Sequence, residues 1–343
     1  MIKRFGKGDE SFEEIFICIP EIWSSNITTL DGRNILIDIL THDVNVPIKK
    51  VSVVTEPEAA SAFFAHNYEK ETHKSFNGHL LLIDYGGGTL DITLTQVTSD
   101  GKGQMEIGYR EGGGVGENHP DFTNNISLGY AGLAYLQEVL VIALQDAGYK
   151  NIDCSSVKFK KAIVAFENSL KSVNGIRKIE DTFGEFGSYN HFDELFDEDD
   201  IIFAYIDYDD IVVNVTYQHL LRAYKQTIEE ILKDEIDSIN RKVQGHIKRD
   251  PCKAESGEMD NFKIALVGGF GSFYLVKKQI AEIYNINSDN KNDMRFKNIR
   301  TDKSEQAISL GAALLASGRV TLQKTARYSI GLCTKGTDQK RHV

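Results

Sequence analysis

Two rhythms of apolar residues run along this chain, one of strands and one of helices. Ile15-Phe-Ile-Cys-Ile19 reads as a buried strand that stops at Pro20, which has no N–H for a ladder. Residues 26–41 carry apolar positions at helical spacing, and residues 49–54 form another short apolar run. Thr55-Glu-Pro-Glu58 then opens a helix: a cap residue, a proline in the first turn and two acids where helix N-termini prefer them. Its alanine and serine run gives a slim face for packing on a sheet. Leu80-Leu-Leu-Ile-Asp84 and Asp91-Ile-Thr-Leu-Thr-Gln-Val97 predict two strands joined at Tyr85-Gly-Gly-Gly-Thr89.

A third strand is predicted over residues 104–110; the cluster Gly112-Gly-Gly-Val-Gly116 is a weak signal of a second ligand loop, and a flexible hinge between subdomains explains it at least as well. Helices follow at residues 128–147, with Leu133, Leu136, Leu140 and Leu144 on one face, and through Phe159, Ile163, Phe166, Leu170 and Val173. Residues 176–215 read as short strands and loops, with solvated acid clusters at residues 197–200 and 207–210. A single long helix is predicted over residues 217–240, then a polar loop at 244–261. Lys263-Ile-Ala-Leu-Val267 is a buried strand followed by Gly268-Gly-Phe-Gly-Ser272 and a helix. A strand at 294–299 precedes a last helix at 304–317, whose narrow face is Ala307, Leu310, Gly311 and Leu314. Residues from 334 onward read as a mobile polar tail.

The hairpin at Asp84 to Asp91 carries the chemistry. Three consecutive glycines leave bare backbone whose N–H groups can approach an anion. The flanking carboxylates would repel a phosphate unless a cation such as Mg²⁺ lay between them. Together they predict a nucleotide-phosphate clamp. Neither glycine cluster fits a Rossmann fingerprint, and no P-loop motif occurs, so those two nucleotide folds are disfavoured. Gly268 to Ser272, between a strand and a helix N-terminus, is a second place where backbone can meet a ligand. Glu230, Lys233 and Asp237 share one helix face; read alone they are surface ion pairs.

Composition narrows the partners. The chain has 343 residues, 41% of them apolar, enough for a sizeable core. A formal charge of -11 argues against nucleic acid and against anionic membrane surfaces. No apolar leader or membrane-length run is visible. The four cysteines are scattered without a CxxC pair, as in a reduced, cytoplasmic protein. Trp23 reads as core packing.

The order of motifs resembles the ATPase domain of the heat-shock-protein-70 family, in the actin-like ATPase superfamily. The resemblance rests on Thr55-Glu-Pro-Glu-Ala-Ala60, Asp84-x-Gly-Gly-Gly-Thr-x-Asp91, Val267-Gly-Gly-Phe-Gly-Ser272 and Ala307-x-x-Leu-Gly-Ala-Ala313, and covers residues 15–331. Ile19-Pro-Glu-Ile-Trp-Ser24 is most similar to the divergent branch that lacks a peptide-binding domain. The resemblance implies an α/β, actin-like (ribonuclease H-like) fold of two lobes closing on MgATP or MgADP. Residues 1–77 and 303–331 would be a remnant of lobe I, 78–115 and 261–302 the core of lobe II, 116–260 its peripheral subdomain, and 332–343 the tail.

By the same resemblance, Gly86, Gly87, Gly88 and Thr89 hold phosphates, and Asp84 and Asp91 organise Mg²⁺ through water. Glu56 lies near the attacking water, and Glu230, Lys233 and Asp237 contact adenosine. Gly268, Gly269, Phe270, Gly271 and Ser272 form the turn beneath the base, with Ser272 where the family has a basic stacking residue. The family's opening phosphate hairpin and its γ-phosphate lysine have no counterpart before Ile15, so the first lobe is expected to be incomplete and hydrolysis weak or absent. The expected function is a nucleotide-dependent conformational switch, with protein clients possible at the lobe surfaces. The alternatives are a non-catalytic scaffold that keeps the fold and, less favoured, a sugar or acetate kinase.

Overall fold

The computed structural model describes residues 14–21, 32–43, 50–101, 104–116, 131–170, 202–208, 211–247, 261–271, 273–285, 299–300, 306–323, 334–335 and 341–342. In chain order these contain β1 (Ile15–Ile19), α1 (Gly32–Asp38), β2 (Val51–Thr55), α2 (Glu56–Thr72), β3 (Gly78–Tyr85), β4 (Thr89–Ser99) and β5 (Met105–Gly116). Next come α3 (Gly132–Asp146), α4 (Val157–Leu170), β6 (Ile202–Tyr208), β7 (Ile211–Thr216), α5 (Tyr217–Thr227) and α6 (Glu229–Ile247). The last are β8 (Phe262–Val267), α7 (Tyr274–Ile283), β9 (Ile299–Arg300), α8 (Ala307–Ala316), β10 (Val320–Leu322), β11 (Thr334–Lys335) and β12 (Arg341–His342). Helices and a mixed sheet make the chain an α/β protein.

The central sheet has the order β10-β5-β4-β3-β8-β9. The pairs β3–β4 and β4–β5 are antiparallel, whereas β8 joins β3, β9 joins β8 and β10 joins β5 in parallel. The period-2 alternation of β3 and β4 divides their side chains between two cores. Leu81, Ile83, Tyr85, Leu90, Ile92 and Leu94 face the larger one, built with helices α3 to α7. Leu80, Leu82 and Val97 face the smaller one, where α2 contributes Ala59, Ala60, Ala62 and Phe63 and α8 contributes Ala307 and Leu315.

Helix α2 starts as its sequence dictates. Thr55 and Glu58 form a reciprocal capping box, with the Thr55 N–H donating to Glu58 Oε2 at 2.9 Å. Its alanine face lets α8 come close enough that a Cβ on Gly311 would overlap the Ala59 carbonyl. The buried residues of α8 are therefore Ala307, Gly311 and Leu315, while Leu310, expected on that face, is 39% exposed.

Other expectations change as well. The cluster at Gly112–Gly116 is no hinge: it continues β5, paired against Thr89–Thr93 of β4. Side chains of α6 cover this bare strand, with Lys242 Nζ donating to the Gly112 carbonyl at 3.2 Å and His246 meeting Glu111 at 3.0 Å. The long helix expected over 217–240 is two helices that break at Ile228. There the Thr227 hydroxyl bonds back to the Ala223 carbonyl, a habit that bends helices, and Ile228 stretches to φ -119° while its N–H still donates to the Tyr224 carbonyl. The second helix runs on to Ile247, into the stretch expected to be loop. The helix expected at 26–41 is described only as α1, which passes into a turn of π-helix at Ile39–Asp43. In the expected tail, β11 and β12 pair as an antiparallel ladder. Trp23, Val173 and the acids at 197–200 lie outside the described residues.

Candidate functional site

The hairpin turn is built as predicted. The Gly86 N–H donates to the Thr89 carbonyl at 2.9 Å, closing the loop over Gly87 and Gly88. Nothing lies within 4 Å of where a Gly87 Cβ would stand, so that backbone faces open space. Helix α3 has no side-chain cap at its N-terminus. Instead the hairpin supplies it: the Gly132 N–H donates to the Gly86 carbonyl at 3.1 Å and the Leu133 N–H to the Gly87 carbonyl at 2.8 Å.

The turn after β8 locks onto the same place. The Phe270 N–H donates to the Tyr85 carbonyl at 2.9 Å, and the Phe270 ring packs 6.2 Å from Tyr85 and over Gly132. Gly268 sits at φ +82°, and a Cβ there would lie 2.6 Å from Asp84 Oδ1. Only glycine allows both the conformation and the approach. Three glycine-bearing segments thus converge at one end of the sheet.

Asp84 and Asp91 are in direct cross-strand register, so both carboxylates leave the sheet on the same side. They are 6% and 1% exposed. Burial, then Glu56, then Asp91 push the Asp84 carboxyl up to about 8, and Asp84 Oδ2 has no hydrogen-bond partner among the described residues. Glu56, in the first turn of α2, is itself pushed up by burial. Sequence reasoning brought these three acids to one site, and the structure does bring them together electrostatically. Like charges directly opposed in a sheet destabilise it. The arrangement calls for a shared proton or a hard cation, and carboxylate oxygens are donors of the kind Mg²⁺ takes. Among the described residues no group of three or more His, Cys, Asp or Glu side chains could hold a metal ion by itself. A cation here would need other oxygens, from water or ligand.

Glu230, Lys233 and Asp237 lie exposed on α6. The start of that helix is tied to α7 through Gln279 Nε2, which donates to the Glu229 carbonyl at 2.5 Å. Gly269 is exposed, Gly271 is buried against the Val267 carbonyl, and Ser272 lies outside the described residues. Thr93 was missed by the sequence reading. It follows Asp91 by two positions on the same face of β4, is fully buried, and its Oγ1 has no hydrogen-bond partner among the described residues. Its i+2 spacing from Asp91 was the available signal. No helix among the described residues is long and apolar enough to cross a membrane. No protein-family model matches the chain, and no curated protein matches it.

Proposed function

We propose that the chain binds a nucleoside triphosphate, ATP in the first instance, together with Mg²⁺ at the Asp84–Asp91 hairpin. It would serve as a heat-shock-protein-70-like, actin-fold nucleotide switch. The observation that carries this reading is the buried, face-to-face pair Asp84 and Asp91 at the foot of a side-chain-free glycine turn. Mg²⁺ would neutralise those carboxylates and screen the phosphates, and Gly87 to Thr89 would offer backbone N–H groups to phosphate oxygens. Gly268 to Gly271 would lie beside the rest of the nucleotide, because the Phe270 N–H fixes that turn to the hairpin.

Turnover is expected near background. Phosphoryl transfer depends on positioned positive charge, yet among the described residues the charged groups that act on Asp84 are Glu56 and Asp91, both acidic. Glu56, with its raised carboxyl, would sit where a proton acceptor is useful. A scaffold that binds without hydrolysing would share every contact up to that step.

Calorimetry with MgATP tests the clamp. The native chain should bind, and Asp84→Asn should weaken binding roughly tenfold or more. No heat from the native chain, or binding indifferent to the substitution, overturns the reading. A phosphate-release assay then separates switch from enzyme.

A further inference from the structure

The surface beside Asp91 has an unusual lining. On β4 the residues that share its face are Thr93 and Thr95, and their pairing partners on β5 are Gly112 and Tyr109. Asp91 itself is paired with Gly114. On the β5 side, then, Asp91 and Thr93 meet two glycines where a sheet normally offers side chains. The Tyr109 hydroxyl bends over this gap, 2.6 Å from where a Gly112 Cβ would stand. Farther along, the Thr95 hydroxyl is accounted for: it donates to Ser61 Oγ of α2 at 3.1 Å. Thr93, between Asp91 and that pair, is fully buried and its Oγ1 finds no protein partner among the described residues.

A buried hydroxyl without a partner costs about 1–3 kcal/mol, and a chain has an isosteric alternative in valine. Residues two apart on a strand stand about 7 Å from each other. Thr93 Oγ1 makes no direct bond to the carboxylates, and this spacing is suited to one intervening water. A buried water needs two to four polar partners. Thr93 Oγ1, Asp84 Oδ2 and the Tyr109 hydroxyl are polar groups on that face or reaching over it.

We propose that Thr93 is a positioning residue of the carboxylate pair, its hydroxyl holding a buried water against Asp84 and Asp91 and so setting how tightly the site holds a divalent cation. The cation part rests on the nucleotide reading above; the water part does not.

The test compares the native chain with Thr93→Val and Thr93→Ser in two measurements. In thermal melts without divalent cations, Thr93→Val should lower the midpoint by several degrees and Thr93→Ser should return most of the loss. A valine variant as stable as the native chain, or more stable, shows an idle hydroxyl and overturns the proposal. In calorimetry with ATP at graded MgCl₂, Thr93→Val should need roughly tenfold more Mg²⁺ for half-maximal binding, with Thr93→Ser near the native value. A change confined to the melt makes the water structural and overturns the positioning role. A native chain that binds no MgATP overturns the nucleotide reading and the cation part together. The melts still decide whether Thr93 holds a water.

Discussion

Asp84 and Asp91 stand opposite each other on adjacent antiparallel strands, both nearly sealed from solvent, with no side chain between them in the register. Two such carboxylates cannot both ionise cheaply without a cation. Folding stability must therefore depend on pH in a definite direction. The ordinary Asp value is 3.8, and in the folded chain Asp84 is pushed up to about 8. Between those values the folded state keeps a proton that the unfolded state has lost. The contribution of Asp84 to stability is thus greatest below pH 3.8, falls as pH rises through the window, and levels off above about 8.

In EDTA, Asp84→Asn should gain on the native chain as pH rises through this window, by an amount on the order of a few kcal/mol. Urea unfolding at several pH values measures it. Saturating Mg²⁺ with ATP should flatten the decline in the native chain. A difference between the two chains that stays flat from pH 4 to pH 8 in EDTA would contradict the arrangement.

Gly268→Ala should destabilise the chain by roughly 1–3 kcal/mol, because it combines a left-handed backbone with a side chain driven at Tyr85 and Asp84. Chemical denaturation reads the loss. Calorimetry should show that the folded fraction binds MgATP more weakly, since the turn and the hairpin share the Phe270–Tyr85 bond.

Gly311→Ala should cost roughly 1–3 kcal/mol, although alanine favours helices, because its methyl would overlap the Ala59 carbonyl. The contrast is Gly245→Ala on α6. No atom lies within 4 Å of the added methyl, and stability should rise by about 0.5–1 kcal/mol. Equal effects at the two glycines would show that helix propensity, not crowding, dominates.

Thr55→Ala removes the acceptor for the Glu58 N–H and half of the capping box at the start of α2. A loss of about 1 kcal/mol is expected. Because Glu56 lies one residue further on, the melt and MgATP affinity should fall together.

What the sequence made legible was local. The hairpin, its facing acids and the cap at Thr55 each follow from short-range rules, and all three are found where expected. The break at Ile228 was hidden because Tyr224, Ile228 and Leu232 keep one helical rhythm across it. At the break Thr227 bonds back to Ala223, and Gln279, remote in sequence, holds the Glu229 carbonyl just beyond it. Gly112 to Gly116 has no strand propensity of its own. It is held extended by β4 and covered by α6, neither of which a local reading can weigh. The parallel joins of β8 to β3 and β10 to β5 are likewise long-range, as is the converging of Gly86, Gly132 and Phe270. Thr93 stayed invisible because a threonine in a strand is ordinary until its hydroxyl is found buried without a partner among the described residues.

The close fit of Gly311 on Ala59 also sets an order of assembly. Helix α2 is made well before the helix that covers its alanine face, with residues 73–306 between them. Until then Ala59, Ala60 and Phe63 remain without their α8 partner, and β5 lacks β10. Such late, non-local closure slows folding and leaves apolar surface open to wrong partners. The nascent chain is therefore vulnerable until α8 arrives. A chain cut short of α8 should aggregate during expression, however sound its glycine hairpin.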